Sequence, residues 1–341
     1  MNDNVATSPQ NPALAPPIAS VILVAWNSAA TLPRCLGALA AQSRPDFEVI
    51  VVDNASSGRP VQEILDGFPA LSRRFVRLEE NRGFAAANNL GARLARGEWL
   101  ATLNPDAFPE PGWLAALLDA ARRRPEFGFF ASRLLQDGHP DRLDGEGDVY
   151  HASGLAWRRH YGSPAAPEPA EEEVFSACAA AALYGRAEFL SVGGFDESYF
   201  CYFEDVDLGF RLRLRGTRCL FVPGAVARHV GSAGTSRKSD FALFHGHRNL
   251  EWTFIKNMPA RLFWTYLPLH LFTGTLMMLY YASRGRPTVL LKAKIAAWRG
   301  FKRAWRARRA VQAGRKVPVS EIRRVLDRRL GGAIRAALQR R

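Results

Sequence analysis

Short apolar runs alternate with amphipathic stretches over the first third of the chain. The runs 20–25, 48–53 and 98–103 are short and mostly apolar, which is the pattern of strands buried on both faces of a parallel sheet. Leucines recur at helical spacing within 32–39, between the first two runs. Strands that alternate with helices at this spacing predict an α/β fold, with a mostly parallel sheet flanked by helices.

The middle of the chain has a weaker pattern. Residues 140–173 show little periodicity and contain several Gly, Pro and acidic residues, so we expect a long loop over the active face with a hairpin around 150–157. The elements predicted after it are a helix over 177–192, a helix over 206–214, a strand over 218–222 and a segment over 226–229 that ends in a loop.

Polar side chains stand at the ends of the predicted strands, where ligands bind in sheets of this kind. Trp26 and Asn27 follow the first strand, Asp53 ends the second, and Asn104 and Asp106 follow the third. A carboxylate such as Asp106 could hold a divalent cation on a diphosphate. Two structural alternatives stay open, namely a turn at the Asn-Pro-Asp segment and a helix or turn cap at Asp53.

Three later segments could also carry chemistry. The segment 81–91 opens a helix whose N-terminus could approach a phosphate or a base, although it departs from the GxGxxG pattern of nicotinamide sites. Glu204 and Asp205 follow an aromatic run, and a carboxylate beside an apolar wall can accept a proton from a hydroxyl. His229 could ligate a metal or contact a phosphate. The alternatives are helix initiation, an acidic cluster that complements a helix dipole, and a histidine of purely structural role.

The formal net charge of +14 is concentrated in the C-terminal tail. Residues 284–341 contain 19 Lys and Arg side chains and two acids, so the rest of the chain is slightly acidic. Any ligand that this positive charge attracts is therefore expected to bind the tail. The apolar segment 262–282 is long enough to span a bilayer, but a single crossing would carry the tail to the far side, against the positive-inside tendency. We expect an interfacial or re-entrant segment instead.

The tail also carries an apolar stripe at helical spacing, with arginines elsewhere. Its members are Ile322, Val325, Leu326, Leu330, Ile334 and Leu338. Basic amphipathic helices of this kind bind anionic lipid, here at the inner leaflet. The alternatives are that the stripe packs on the preceding domain or pairs with another subunit. A nucleic-acid partner is disfavoured, because the charge is confined to a tail beside an apolar segment.

Taken together, the segments resemble the inverting glycosyltransferases of family 2, in particular the rhamnosyltransferase-like members. The resemblance runs from about residue 20 to residue 259 and rests on short motifs in the family's order. These motifs are VAWNS (24–28), VVDNAS (51–56), NRGF with NNLG (81–91), LNPD (103–106), VGGFDE (192–197), YFEDVDL (202–208) and HVGS (229–232).

The resemblance implies a GT-A fold and a nucleotide-diphospho-sugar donor, with rhamnose from dTDP-rhamnose as the first expectation. Asp205 would be the general base, with Glu204 as the next candidate, and Asp106 and His229 would hold Mg²⁺ or Mn²⁺. The residues that would bind the nucleotide sugar are Trp26, Asn27, Asp53, Arg82, Gly83, Asn88, Asn104 and Asp106. Two positions depart from the family's pattern, since Asn104 replaces the first acid of Asp-x-Asp and Trp26 stands where Tyr is more usual.

These expectations divide the chain into a disordered N-terminus (1–17), a catalytic domain (18–260) and a membrane-associated extension (261–341). The acceptor would be a hydroxyl of a lipid-linked or cell-surface glycan, at the cytoplasmic face of the cell membrane. One alternative is a nucleotidyltransferase, but the segment 24–28 is not the Gly-rich, basic loop expected there. The other is a catalytically inactive, membrane-bound protein that binds a nucleotide sugar.

Overall fold

The computed structural model describes residues 16–167, 169–231 and 239–329. The strands are β1 (Ala19–Ala25), β2 (Phe47–Asp53), β3 (Arg73–Arg77), β4 (Trp99–Leu103), β5 (Ala107–Pro109), β6 (Phe127–Gln136), β7 (His139–Gly145), β8 (Asp148–Tyr150), β9 (Ala156–Arg158), β10 (Glu172–Val174), β11 (Ala181–Gly185) and β12 (Arg218–His229). The helices are α1 (Leu32–Ala40), α2 (Val61–Asp66), α3 (Gly83–Leu94), α4 (Trp113–Arg123), α5 (Arg186–Ser191), α6 (Glu204–Leu214), α7 (Asp240–Asn257), α8 (Ala260–Ser283), α9 (Pro287–Arg299), α10 (Phe301–Ala313) and α11 (Val319–Val325).

One sheet, in the order β10-β12-β6-β11-β4-β1-β2-β3, forms the centre of the molecule. β4, β1, β2 and β3 run parallel, and every residue of β1 and β2 is buried, because separate hydrophobic clusters cover the two faces of the sheet. Ala25 pairs with Asp53, so these two strands end at the same level. The predicted α/β fold is confirmed, and its parallel strands occupy this half of the sheet.

The other half of the sheet is mixed. β11 lies antiparallel to both β4 and β6, while β12 runs parallel to β6. The helix predicted over 177–192 is therefore wrong for 181–185, and helix α5 covers only the end of that range. The Ala-rich run favours a helix by propensity, but here it fills the buried centre of the sheet, where tertiary packing decides the conformation.

The region 140–173 contains more strand than the expected loop. The hairpin expected there is confirmed as β8 and β9, with Tyr150 opposite Ala156. β7 pairs with β6, and β10 pairs with β12 at the edge of the sheet. β12 continues as far as His229, so the predicted loop at this residue is also wrong. These strands form through long-range pairing, which local sequence pattern does not report.

Side-chain contacts join α7 to α8 at three places. The rings of Phe254 and Phe263 lie 5.4 Å apart, His270 Nε2 lies 2.9 Å from Glu251 Oε2, and the rings of His247 and Tyr281 lie 5.5 Å apart. The backbone of α8 approaches α9 more than α7, and three residues of α8 are buried, namely Leu262, Phe263 and His270. Helix α8 is thus tied to the rest of the molecule by a few side chains and leaves most of its surface uncovered.

The start of the C-terminal stripe is part of the protein core. Ile322 and Leu326 are buried in a cluster that also contains Phe210 and Phe254. The expectation that the stripe faces lipid is therefore wrong for these residues, and the alternative of packing on the domain holds, because α11 ends at Val325 and turns its apolar side inward. The rest of the stripe (Leu330, Ile334 and Leu338) and most of the predicted disordered N-terminus (1–15) lie outside the described residues.

A buried charged network joins α6 to α7. Asp207 is fully buried, and its Oδ2 accepts a hydrogen bond of 2.8 Å from Arg211 Nε. Its Oδ1 lies 2.8 Å from Lys256 Nζ and accepts hydrogen bonds from Asn257 Nδ2 (2.7 Å) and the Tyr199 hydroxyl (3.1 Å). Two cations and two neutral donors thus bind the Asp207 carboxylate. Asp207 therefore has a structural role.

Replacing Asp207 with alanine is expected to lower the free energy of unfolding by up to about 3–5 kcal/mol, because Arg211 and Lys256 would lose a buried anion. Lys256 would keep its ion pair with Asp196, and Arg211 would keep its bonds to backbone carbonyl oxygens. Urea denaturation followed by circular dichroism measures this change. The matched control is Asp119→Ala, which removes a half-exposed carboxylate from α4 with only long ion pairs of 3.7 and 3.9 Å and should change stability by no more than about 1 kcal/mol. Equal losses in the two variants would contradict the assignment.

Candidate active site

A cavity of about 940 Å³ opens beside the carboxyl ends of β1 and β4. The predicted site residues that line it are Trp26, Asn27, Gly83, Asn104, Asp106, Glu204 and Asp205. They come from four separate parts of the chain, and the sheet brings them together because its parallel strands end at one edge. The cavity is therefore the candidate active site.

Asn27 connects the loops that follow β1 and β2. Its backbone has a φ of 51°, in the left-handed region that asparagine tolerates better than most residues. Its N–H donates to Ser56 Oγ (3.0 Å), and its side-chain oxygen accepts from the Ser57 N–H (2.8 Å). This bracing holds the neighbouring Trp26, whose side chain lines the cavity with an exposure of 38%. A half-exposed indole in that position suits stacking on a flat ring.

Asp53 is buried beneath the cavity. Its carboxylate accepts a hydrogen bond from the Ser56 N–H (2.9 Å) and forms an ion pair with Arg77 (2.8 Å). The neighbouring Asn54 lines the cavity, whereas Asp53 does not. In this structure Asp53 shapes the loop after β2, and its contact with a nucleobase stays a prediction.

Arg82 and Asn88 also lie away from the cavity lining. The Arg82 N–H donates to Asn54 Oδ1 (2.9 Å), and the Arg82 side chain is exposed at the start of α3. The buried Asn88 side chain donates to the carbonyl oxygen of Phe84 (3.0 Å) within the same helix. Their predicted roles in nucleotide binding stay predictions.

The pairing of β5 with the end of β12 brings Asp106 to His229. Ala107 is the partner of His229 in the ladder, and the Val230 N–H donates to the Asp106 carbonyl oxygen (3.0 Å). As a result, His229 Nε2 lies 3.3 Å from Asp106 Oδ1. The two predicted metal ligands, 123 residues apart in the chain, meet at one side of the cavity.

Asp144 fixes the orientation of the His229 ring from the opposite side. Its Oδ2 lies 2.7 Å from His229 Nδ1, and Arg158 forms an ion pair with the same carboxylate. Burial opposes the charged imidazole, but the bonds to Asp106 and Asp144 outweigh it and raise the pKa of His229. A carboxylate on Nδ1 directs Nε2 outward, as is common for metal-bound histidines.

Sequence reasoning missed Asp144 and Arg158, because both lie in the region expected to be a loop. The sequence did offer a signal for both residues. Asp144 lies shortly before the predicted hairpin 150–157, and Arg158 follows it directly. Two opposite charges that flank a predicted hairpin are reasonable functional candidates.

Asp106 and His229 suit a divalent cation as a pair. Carboxylate oxygen and imidazole nitrogen are ligands that Mn²⁺ accepts, and Mg²⁺ is usually held by only one or two protein groups with substrate phosphates. Within the ranges that the structure describes, three or more His, Cys, Asp or Glu side chains do not converge in a metal-binding group. The protein therefore offers two ligands, and a bound diphosphate would have to supply others.

Glu204 and Asp205 both line the cavity but have different environments. Burial and the charge of Asp205 raise the pKa of Glu204 well above its usual range, which favours its protonated form. Burial also raises the pKa of Asp205, while hydrogen bonds from the N–H groups of Ala179 (3.2 Å) and Val206 (2.8 Å) stabilise its carboxylate. Asp205 is thus the better proton acceptor of the two.

Asp148 is a further carboxyl group of the cavity that the sequence analysis did not single out. Burial, and then the charge of Asp205, raise its pKa well above its usual range. Ser176 Oγ donates to it at 3.1 Å. When two acids interact in this way, the one with the higher pKa holds its proton more readily, so the charge of Asp205 favours the neutral form of Asp148.

The aromatic segment before α6 has an unusual backbone. Phe200, Tyr202 and Phe203 have φ values of 66°, 67° and 70°, which are costly for bulky residues. The buried Asn249 holds the segment, since its Nδ2 donates to the carbonyl oxygens of Cys201 (2.9 Å) and Tyr202 (2.7 Å). This strained segment positions Glu204 and Asp205 at the cavity wall. Backbone strain of this kind is found mainly at functional sites.

The fold and the cavity are those of a glycosyltransferase, and the chain belongs to glycosyl transferase family 2. The model of this family matches residues 20–183. An N-acetylglucosaminyl-diphospho-decaprenol L-rhamnosyltransferase of Mycobacterium tuberculosis is 30% identical over 253 residues, which cover 67% of this chain and 81% of the relative. The O-antigen biosynthesis protein RfbC of Myxococcus xanthus is 33% identical over 240 residues, covering 64% of this chain but 18% of the relative.

Solved structures support the GT-A fold that the resemblance implied. The mannosyltransferase PcManGT of Pyrobaculum calidifontis, in complex with GDP-Man and Mn²⁺, superposes with a TM-score of 0.54 at 19% identity, covering 88% of this chain and 86% of that one. GalNAc-T7, with UDP, GalNAc and Mn²⁺, gives a TM-score of 0.57 at 18% identity, covering 70% and 47% of the respective chains. At these identities the likeness concerns the fold alone.

The pH dependence of turnover is expected to report Asp205. A general base acts in its ionised form, so kcat should fall as the pH drops through the pKa of this group. Because that pKa is raised, the fall should occur above about pH 3.9, the value of an ordinary aspartate. Initial rates at saturating donor would measure it, with circular dichroism at each pH to confirm folding. A kcat that stays constant down to about pH 4 would contradict this assignment.

Proposed function

We propose that this protein is an inverting glycosyltransferase that moves a sugar from a nucleotide-diphospho-sugar to a hydroxyl of a lipid-linked or cell-surface glycan. One observation carries the proposal. The Asp106 and Asp205 carboxylates line the same cavity at the carboxyl edge of the sheet, and His229 Nε2 lies 3.3 Å from Asp106 Oδ1. A metal-binding pair suits a diphosphate, and an ionised carboxylate suits an attacking hydroxyl.

Asp205 would accept the proton of the acceptor hydroxyl as its oxygen attacks the anomeric carbon. The bond from that carbon to the diphosphate oxygen breaks in the same displacement, which inverts the anomeric centre. Glu204 and Asp148, whose pKa values are both raised well above their usual range, would ionise less readily than Asp205. Such a difference allows neighbouring carboxyl groups to take different catalytic roles.

Asp106 and His229 would hold Mg²⁺ or Mn²⁺, with Asp144 orienting the histidine through its Nδ1 atom. When bound, such a cation stabilises the negative charge that develops on a departing diphosphate. Asn104 cannot add the negative charge of the acid it replaces, so affinity for the cation would depend on Asp106, His229 and the donor's own phosphates. Trp26 would stack on the base of the donor.

Rhamnose from dTDP-rhamnose is the donor we propose first, because a rhamnosyltransferase is among the relatives of this chain. The name of that relative specifies an N-acetylglucosaminyl-diphospho-decaprenol acceptor. We propose an acceptor of the same chemical class, a sugar joined to a lipid through a diphosphate. Such an acceptor would bring the enzyme to the cytoplasmic face of the cell membrane.

The surface of α8 and α9 supports membrane association. Nine of the thirteen large hydrophobic side chains that are exposed in the described residues lie within 264–301. Those on α8 and α9 form what we call the apolar face: Trp264, Leu271, Phe272, Leu276, Leu279, Leu291, Ile295 and Trp298. Exposed Arg284, Lys292 and Arg299 accompany it. An apolar surface with flanking cations suits an anionic bilayer, and we propose this face as the contact.

Helix α8 would lie on the membrane under this proposal. By length and composition, α8 is the one helix of the described ranges that could cross a bilayer. However, its side chains contact α7 at Phe263, His270 and Tyr281, and its buried His270 bonds to Glu251 and to the Ser153 carbonyl oxygen. A helix tied to the domain near both ends and at its middle supports a monotopic arrangement, with its exposed side chains available to lipid.

The proposed function is tested by incubating the purified full chain with a panel of nucleotide sugars and a membrane lipid extract, with Mg²⁺, with Mn²⁺ or with EDTA. Release of nucleoside diphosphate is the readout. We expect release from one donor that requires the metal. Asp205→Asn should lower kcat by about 10²–10⁴-fold, the usual contribution of a general base, and Asp106→Ala should remove metal-dependent release. The matched control Asp141→Asn changes an exposed aspartate of β7 outside the cavity lining and should leave the rate unchanged.

Two results would contradict the proposal. The first is the absence of release from every donor, together with no donor or metal raising the melting temperature. The second is release that is the same in Asp205→Asn, Asp106→Ala and Asp141→Asn, since the cavity would then not be the site of transfer.

A further inference from the structure

The cavity extends beyond the groups assigned to the donor and the general base. Its remaining wall is built by α7 and by the last turn of α8 with the turn that follows it. The residues of this wall include Phe241, His247, Tyr280, Tyr281 and Arg284. None of them takes part in the donor site described above, so the cavity has room and chemistry for a second ligand.

Aromatic rings form one part of this second region. Phe241 of α7 lies with its ring 6.2 Å from Phe200 and 6.4 Å from Tyr202, which belong to the strained segment before Asp205. These rings are partly exposed and face the cavity. A surface of this kind suits the apolar face of a sugar ring. Phe200 and Tyr202 come shortly before the proposed general base Asp205 in the chain and line the same cavity.

Arginines form the other part of the region, at the turn between α8 and α9. Arg284 is exposed, and its guanidinium lies 5.4 Å from the Tyr280 ring. Arg286 also lines the cavity and forms an ion pair of 2.8 Å with Asp240. Arginine in this setting presents a planar set of donors that matches phosphate oxygens. Arg284 is therefore the main candidate for a phosphate contact.

The position of this turn agrees with a ligand that comes from a membrane. Leu276 and Leu279 of the apolar face lie just before it, and Leu291 lies just after it. If the apolar face rests on a bilayer, Arg284 would lie at the level of the lipid headgroups, where arginines are favoured. A diphosphate that joins a sugar to a membrane lipid occupies the same level.

We propose that Arg284, with Arg286, binds the diphosphate of a lipid-linked acceptor, and that Phe241, Phe200 and Tyr202 hold the acceptor sugar with its hydroxyl toward Asp205. This inference rests on the proposed function and adds an acceptor site to it. Phosphate is the chemistry that the arginines recognise, and a bilayer headgroup also carries phosphate. The experiment therefore separates the two sources.

The test compares Arg284→Gln with Arg122→Gln, a matched loss of one exposed arginine from α4, outside both the cavity lining and the apolar face. N-acetylglucosaminyl-diphospho-decaprenol in detergent micelles is one acceptor, and octyl β-N-acetylglucosaminide, which lacks phosphate, is the other. In Arg284→Gln we expect the KM for the diphosphate acceptor to rise at least about 10-fold, with kcat nearly unchanged and the KM for the octyl glycoside unchanged. Arg122→Gln should alter neither value.

A binding measurement keeps the inference testable apart from catalysis. Calorimetry with farnesyl diphosphate should give a dissociation constant that is at least about 10-fold weaker in Arg284→Gln than in Arg122→Gln. If this difference appears without transfer in any assay, the proposed function fails while the diphosphate site stands. The melting temperature of each variant is measured beforehand to establish that it is folded.

Two outcomes would overturn the inference. The first is equal binding of farnesyl diphosphate, and equal KM values, in the two variants. The second is an effect of Arg284→Gln only on sedimentation with vesicles of phosphatidylcholine and phosphatidylglycerol, because the arginine would then contact headgroups and not the acceptor.

Discussion

The site depends on the pairing of β5 with the last residues of β12. This short antiparallel ladder sets Ala107 opposite His229 and so brings Asp106 to the histidine ring. β12 is in turn held in register by β6, whose other partner β7 carries Asp144 to the far side of the same ring. Strands β5, β12, β6 and β7 thus hold the Asp106 carboxylate, the His229 imidazole and the Asp144 carboxylate next to one another. Without this edge of the sheet, none of the three would hold its position.

The parallel half of the fold and its strand-end residues were predictable, because buried parallel strands leave a strong local pattern. Trp26, Asn27, Asn104 and Asp106 were found on that basis, and the cavity lies where the strands end. The mixed half was not predictable in this way. The Ala-rich run 181–185 favours a helix locally, and β7 is specified by its partner, so Asp144 stayed hidden.

The charged groups of α6 show why motif position alone does not assign roles. Glu204, Asp205 and Asp207 stand within four residues of the sequence, and burial and partners give each a different role. Asp207 is a structural anion between Arg211 and Lys256, Glu204 is buried with a raised pKa, and Asp205 faces the cavity with two N–H donors. The apolar C-terminal stripe is a second example. Amphipathic spacing predicts that one side of a helix is buried, but it does not identify whether protein or lipid covers that side.

The stereochemistry of transfer tests the central claim most directly. A donor labelled with ¹³C at its anomeric carbon would be converted by the purified chain, and the one-bond carbon–proton coupling of donor and product would be compared by NMR. A single displacement assisted by Asp205 predicts that the product has the opposite anomeric configuration to the donor. A product with the donor's configuration would contradict the account, because it requires a second displacement for which Asp205 as general base gives no explanation.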